Sequence, residues 1–186
     1  MKRVFLFPTI EEGKAFILTA PKDAVFISGV GMAETAAVTI KAVKLKKPDL
    51  IILAGVAGAY DPTVPLGEVV EVVEERVAEL PAKYAEVYSS AGFTPLKKVS
   101  ANTVSRSGVQ AGEAAIENME GAAFFAVCRA LGVDGCEIRA LSNHVGEPFE
   151  LWKFDEAVEN LTSRLIQIFP PQPVSKEPTK SRKEQD

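Results

Sequence analysis

The chain has 186 residues, 47% apolar and 25% charged, with 21 Lys and Arg against 25 Asp and Glu. That suits one ordinary domain with a real core, excludes disorder throughout, and at a net charge of −4 offers no basic footprint for nucleic acid. The longest apolar runs, at 50–54 and 122–128, are too short to span a membrane, and no cleavage site follows Met1-Lys2-Arg3.

In chain order, residues 4–7 read as a strand closed by Pro8, and 24–28 as a second short strand closed by Gly29 and Gly31. Ala33, Ala36, Ala37, Ile40 and Val43 then recur at helical spacing, with lysines toward the end and Pro48-Asp49 as the stop. Residues 50–53 form a continuous apolar strand ending at Gly55, a pattern of burial on both faces. Residues 67–73 are strand-like, 74–92 are acidic without a clear period, and 97–105 suit another strand. Residues 120–131 are apolar nearly all round and predict a buried helix, followed by a strand at 136–141. Leu151, Phe154, Val158, Leu161, Leu165 and Ile168 repeat at three and four, an amphipathic helix with Trp152 expected to pack inside it. One α/β domain over 1–169 is expected, with a disordered tail over 170–186.

Ser28-Gly29-Val30-Gly31 joins a strand to a helix, where backbone N–H groups can meet an anion or a sugar. A dinucleotide fingerprint needs a small residue at position 34, and Glu34 stands there. Ala54-Gly55-Val56-Ala57-Gly58-Ala59 leaves open space at a strand's carboxyl end, where α/β sheets bind ligands. Glu11 and Glu12 either overhang that edge or form the acidic first turn of a helix, and spacing favours the turn. Glu117 and Glu120 flank Asn118-Met119, and Glu120 enters an apolar stretch where a lone carboxylate is costly. Arg139 and Asn143 bracket the end of the last strand, and the single histidine, His144, reads as a solvated loop residue. Cys128 and Cys136 form neither a disulfide framework nor a zinc site and fit a reducing cytoplasm. No metal or cofactor is expected.

Together, Ser28-Gly29-Val30-Gly31, Lys47-Pro48-Asp49 with Ala54-Gly55-Val56-Ala57-Gly58, Asn118-Met119-Glu120-Gly121-Ala122-Ala123 and Arg139-Ala140-Leu141-Ser142-Asn143 resemble the nucleoside phosphorylase and nucleosidase superfamily. Pro8-Thr9-x-x-Glu12, Glu117-Asn118-Met119-Glu120-Gly121 and Ser142-Asn143-x-Val145-Gly146 are most similar to the futalosine hydrolases within it. The segment between Glu74 and Lys97 is shorter than usual and does not match. The resemblance implies an α/β fold, three-layer α/β/α around a central mixed β-sheet, a homo-oligomer (dimer or tetramer), and cleavage of a purine nucleoside's N-glycosidic bond. By the same resemblance Glu12 activates water, Glu120 holds ribose hydroxyls and Asn143 handles the purine. Met119 lines the sugar, Asn118 belongs to the substrate-binding residues, and Val56, Ala57 and Gly58 border base and sugar. Other purine nucleosidases or phosphorylases, and a silent nucleoside-binding member, remain as alternatives.

Overall fold

A computed structural model describes residues 1–20, 24–81 and 83–171. In it the run at 4–7 is β1 (Arg3–Phe7), followed by α1 (Ile10–Thr19), β2 (Ala24–Ile27), α2 (Met32–Lys46) and β3 (Leu50–Ala59). Next come β4 (Val69–Val77), β5 (Val87–Ser89), β6 (Lys97–Thr103), β7 (Ile116–Asn118) and α3 (Gly121–Leu131). β8 (Asp134–His144), a short turn of 3-10 helix (Phe149–Leu151) and α4 (Phe154–Ile168) complete the chain. The tail expected at 170–186 falls almost wholly outside the described residues. Its first residue, Pro170, accepts a hydrogen bond from Arg3 through its carbonyl.

The expected mixed sheet between two helical layers is present. β1 lies parallel between β2 and β3, and β8 runs parallel to β3 and antiparallel to β4. Beyond expectation, β3, β8, β4, β6 and β7 pair in a closed ring, because β7 returns to the end of β3 at Gly58 and Ala59. Strand alternation divides the core. Val4, Leu6, Ile51 and Leu53 face Ala42 of α2 and Phe124 of α3. Phe5, Phe7, Leu50 and Ile52 face Phe16 of α1 and Leu161 and Leu165 of α4.

Two local features depart from the sequence expectations. In α2 the buried positions are Thr35, Thr39 and Ala42, whereas Ala33, Ala37 and Ile40 face outward. Thr39 can be buried because its hydroxyl donates to the Thr35 carbonyl at 2.6 Å, so no polar group is stranded. Trp152 precedes α4 rather than packing within it, and Leu151 lies outside that helix and is exposed.

Helix α1 carries Glu12, so its docking sets where that carboxyl stands. Thr9 caps it in extended backbone, and the helix is held to the sheet by Phe16, whose ring lies 4.5 Å from Phe5 and 5.6 Å from Phe7. Truncating a fully buried phenylalanine leaves a cavity among its neighbours. Phe16→Ala is therefore expected to lower unfolding free energy by roughly 3–5 kcal/mol in a denaturant titration. A loss below about 1 kcal/mol would mean that α1 is not docked on these rings.

Candidate active site

The carboxyl ends of β1, β3 and β8 and the end of β7 open onto one cleft of about 380 Å³. Thr9, Glu12, Val56, Ala57, Glu117, Asn118, Met119, Glu120, Ser142 and Asn143 all line it. Of the sequence-derived site residues only Gly58 stands behind the lining, one position beyond Ala57 in β3. A wider groove of about 980 Å³ near Gly67, Lys97 and Arg164 shares no residue with this cleft and gathers none of these groups.

Glu12 fulfils both readings of its position. It closes a capping box with Thr9: the Thr9 N–H and hydroxyl donate to Oε2 at 3.0 and 2.7 Å, and the Glu12 N–H donates to Thr9 Oγ1 at 3.2 Å. Its other oxygen, Oε1, accepts from the Val56 N–H at 2.9 Å. The helix start thus delivers a buried carboxyl to the sheet edge. Burial raises its pKa, opposed by the Thr9 and Val56 hydrogen bonds and by the charge of Arg139.

Glu120 lines the same cleft. The Gly31 N–H donates to its Oε1 at 3.0 Å, and Arg139 Nη2 to its Oε2 at 3.2 Å. One N–H of the first glycine loop is therefore taken by the chain's own carboxylate. Gly29 and Gly31 have φ of 80° and 91°, the left-handed region where side chains are disfavoured.

Sequence reasoning placed Arg139 near the strand end but did not assign it to the site. Its guanidinium is fully buried and donates to Glu137 Oε1 at 2.8 Å, Asn118 Oδ1 at 3.0 Å, Glu120 Oε2 at 3.2 Å and the Val56 carbonyl at 3.3 Å. Burial works against its charge, but Glu137 and Glu120 outweigh that and push its pKa up. A Cβ on Gly55 would sit 2.8 Å from both Arg139 Nη1 and Glu12 Oε1, so only glycine fits beside them.

Asn118 is a positioning residue here more than a ligand-facing one. Its Oδ1 accepts from the Glu120 and Gly121 N–H groups, each at 2.8 Å, and its Nδ2 donates to Glu75 Oε2 at 3.1 Å. Glu75 was hidden in the unreadable acidic stretch, yet it is fully buried on β4 and also accepts from Thr103 Oγ1 at 2.7 Å. A Cβ on Gly121 would collide with Glu75 Oε2 and with Glu137 Oε2, so the two carboxyls converge beneath the start of α3. Burial first, and then the charge of Glu137, raises the Glu75 pKa well above its ordinary value. Burial likewise raises that of Glu137 against the pull of Arg139.

Asn143 accepts from Ser142 Oγ at 2.9 Å through Oδ1 and donates from Nδ2 to the His144 carbonyl at 3.1 Å. That orientation places the amide nitrogen 3.0 Å from where a Cβ on Gly58 would lie. His144 is not a free loop residue: it ends β8, with its ring nitrogens 3.1 Å from Glu147 Oε1 and 3.0 Å from the Val64 carbonyl. Trp152 lines the mouth beside Phe149, their ring centroids 5.2 Å apart, and its indole N–H donates to the Glu147 carbonyl.

The phosphorylase superfamily model matches residues 3–75 and 72–169. A futalosine hydrolase of Thermus thermophilus is 31% identical, the match covering 72% of this chain and 75% of that protein. A 5′-methylthioadenosine/S-adenosylhomocysteine nucleosidase mutant of Helicobacter pylori, solved with 5′-methylthioadenosine in its active site, shares the fold at TM-score 0.75 and 15% identity, covering 89% of this chain and 96% of that one. A futalosine hydrolase mutant of Helicobacter pylori does so at TM-score 0.74 and 14% identity, covering 89% and 97%.

The buried carboxyls make stability depend on pH with a definite sign. A carboxyl whose pKa is raised on folding stabilises the native state fully below its unfolded value, here 4.5 for Glu75, and loses that contribution as pH climbs toward the raised value. Each such proton contributes a slope of up to about 1.4 kcal/mol per pH unit. Glu75→Gln is expected to flatten the decline of unfolding free energy above pH 4.5. The slope is the readout, since the new amide nitrogen faces the Asn118 donor. An unchanged slope would show that Glu75 carries no proton in the native state.

Proposed function

The chain belongs to the phosphorylase superfamily, and from that premise we propose that it hydrolyses the N-glycosidic bond of futalosine, releasing hypoxanthine and dehypoxanthinyl futalosine in menaquinone biosynthesis. One observation carries the choice of hydrolysis over phosphorolysis. One N–H from each of the two glycine segments is taken by the chain's own carboxylates, that of Gly31 by Glu120 and that of Val56 by Glu12. An incoming phosphate would meet these negative charges, and the guanidinium nearby, Arg139, is already committed to Glu137 and Glu120. The identity to a futalosine hydrolase supports the substrate. The same reading includes a cytoplasmic homo-oligomer, supported by exposed apolar side chains such as Leu18 on α1 and Leu45 on α2.

The proposed chemistry follows from charge. As the C1′–N9 bond breaks, positive character grows on the sugar and the bonding pair leaves with the purine. Glu12 takes a proton from water as the water oxygen bonds to C1′, and Glu120 holds the ribose hydroxyls against the sugar's growing charge. The departing hypoxanthine is stabilised by the Asn143 amide N–H and takes its proton from solvent.

Purified protein is expected to release hypoxanthine from futalosine in phosphate-free buffer, and Glu12→Gln to lower kcat by about 10²-fold or more while ligand binding survives. A strict phosphate requirement with a sugar 1-phosphate product would remove the assignment.

Asn143 supplies a second test. The N–H that its bond to the His144 carbonyl leaves free suits O6 or N7 of a 6-oxopurine, whereas the 6-amino group of adenine opposes it with another donor. Asn143→Asp is therefore expected to raise the ratio of aminofutalosine to futalosine cleavage by about tenfold. An unchanged ratio in a folded variant would move base selection elsewhere.

A further inference from the structure

His144 is the chain's one histidine, and the proposed chemistry gives its ring no task. It ends β8 and opens a tight turn, in which the Glu147 N–H donates back to the His144 carbonyl at 3.1 Å. Glu147 Oε2 accepts from the His144 N–H at 2.8 Å, and Glu147 Oε1 stands 3.1 Å from ring Nδ1. On the other side of the ring, Nε2 stands 3.0 Å from the carbonyl of Val64, in the segment joining β3 to β4.

Both ring nitrogens therefore face acceptors. A neutral imidazole carries one N–H and one lone pair, so it satisfies only one of the two oxygens. The imidazolium, with two N–H donors, satisfies both at once. The hydrogen bonds to Val64 and then Glu147 raise the ring's pKa from 6.5 against the cost of burial. The charged groups that act on it are Glu147 in its own turn and Asp61 in the Val64 segment, both acidic, with Lys97 acting in turn on Asp61. Glu147 is itself held below its ordinary range by the His144 N–H and ring, so it remains an acceptor.

This clip joins two parts of the molecule that differ in anchorage. Val64 packs against the core. The turn beyond His144 carries the mouth of the cleft, because the Glu147 carbonyl accepts the Trp152 indole N–H at 3.2 Å and Trp152 lies against Phe149. His144 does not line the cleft, so it acts there only through Glu147 and Trp152.

We propose that His144, as the imidazolium, is a positioning residue that pins the Glu147–Trp152 mouth to the Val64 segment, so that nucleoside binding weakens when the ring loses its proton. The binding consequence rests on the purine-nucleoside reading of the cleft, whereas the clip itself does not. The sign follows from the raised pKa. The clip is complete below 6.5 and is lost as pH climbs through the raised value.

The single histidine and the single tryptophan make the test direct. The ring of His144 is titrated by NMR in ligand-free protein between about pH 5.5 and 8.5, with Trp152 emission followed over the same range. A midpoint above 6.5 is expected, with a step in emission at that midpoint. The step is expected to vanish in His144→Gln, whose side chain has no proton to lose, and Glu147→Gln is expected to lower the midpoint. KM for futalosine is expected to rise about threefold across the midpoint while kcat moves less, and to stay flat in His144→Gln. A midpoint at or below 6.5, emission that is flat across it, or a step that survives in His144→Gln would overturn the proposal. The first two readings need no variant and no ligand. Coupled titration in a protein that cleaves no futalosine would overturn only the hydrolase reading. Cleavage with a KM flat across the midpoint would overturn only this one.

Discussion

A guanidinium buried completely inside a protein must have its charge and its donors answered, and Arg139 sets that demand for everything around it. Its planar fork reaches Glu137 on its own strand, Asn118 and Glu120 at the β7–α3 junction, and the Val56 carbonyl of β3. Three separate stretches of chain are thereby fixed relative to one another by a single side chain. A lysine has a point charge and no such fork, so it could not make these contacts together. The glycines answer the same demand: Gly55 leaves room for Arg139 and Glu12, and Gly121 for Glu75 and Glu137.

Charge is distributed unequally about this centre. Four carboxyls, Glu12, Glu75, Glu120 and Glu137, share the surroundings of one arginine, so full ionisation would be costly. The deeper pair, Glu75 and Glu137, has raised pKa values from burial and converges beneath Gly121. Glu12 and Glu120 stand outside that pair, at the cleft wall, each with both oxygens on backbone N–H groups. The inner pair absorbs the desolvation cost within the protein, and the outer two face the space a ligand would occupy.

Much of this was legible in the sequence, and the gaps have physical causes. β1, β2, β3, α2, α3 and α4 showed through because their apolar residues keep a period or a continuous run. Helix α1 did not enter the element order, because only Phe16 among its larger apolar residues is fully buried and its start signal, Thr9-x-x-Glu12, doubled as the site motif. The threonine face of α2 was displaced from its alanine stripe because hydroxyls bonded to the preceding turn can be buried as readily as methyls. Glu75 was lost in a run of glutamates, where alternation turns one inward without changing composition. Closure of the ring through β7 depends on register, which no periodicity of a three-residue strand can encode. Glu12, Glu120, Met119 and Asn143 were picked out by the resemblance of their motifs to the nucleosidase superfamily, and the fold brings all four to one cleft.

On the proposed chemistry, water and no other nucleophile meets the sugar carbon in this cleft. Turnover of futalosine in ¹⁸O-labelled water, with phosphate also present, tests this at the atom concerned. One ¹⁸O at C1′ of the dehypoxanthinyl product and no sugar 1-phosphate is the predicted result. A product carrying phosphate at C1′, or one without the label at the moment of its formation, would contradict it.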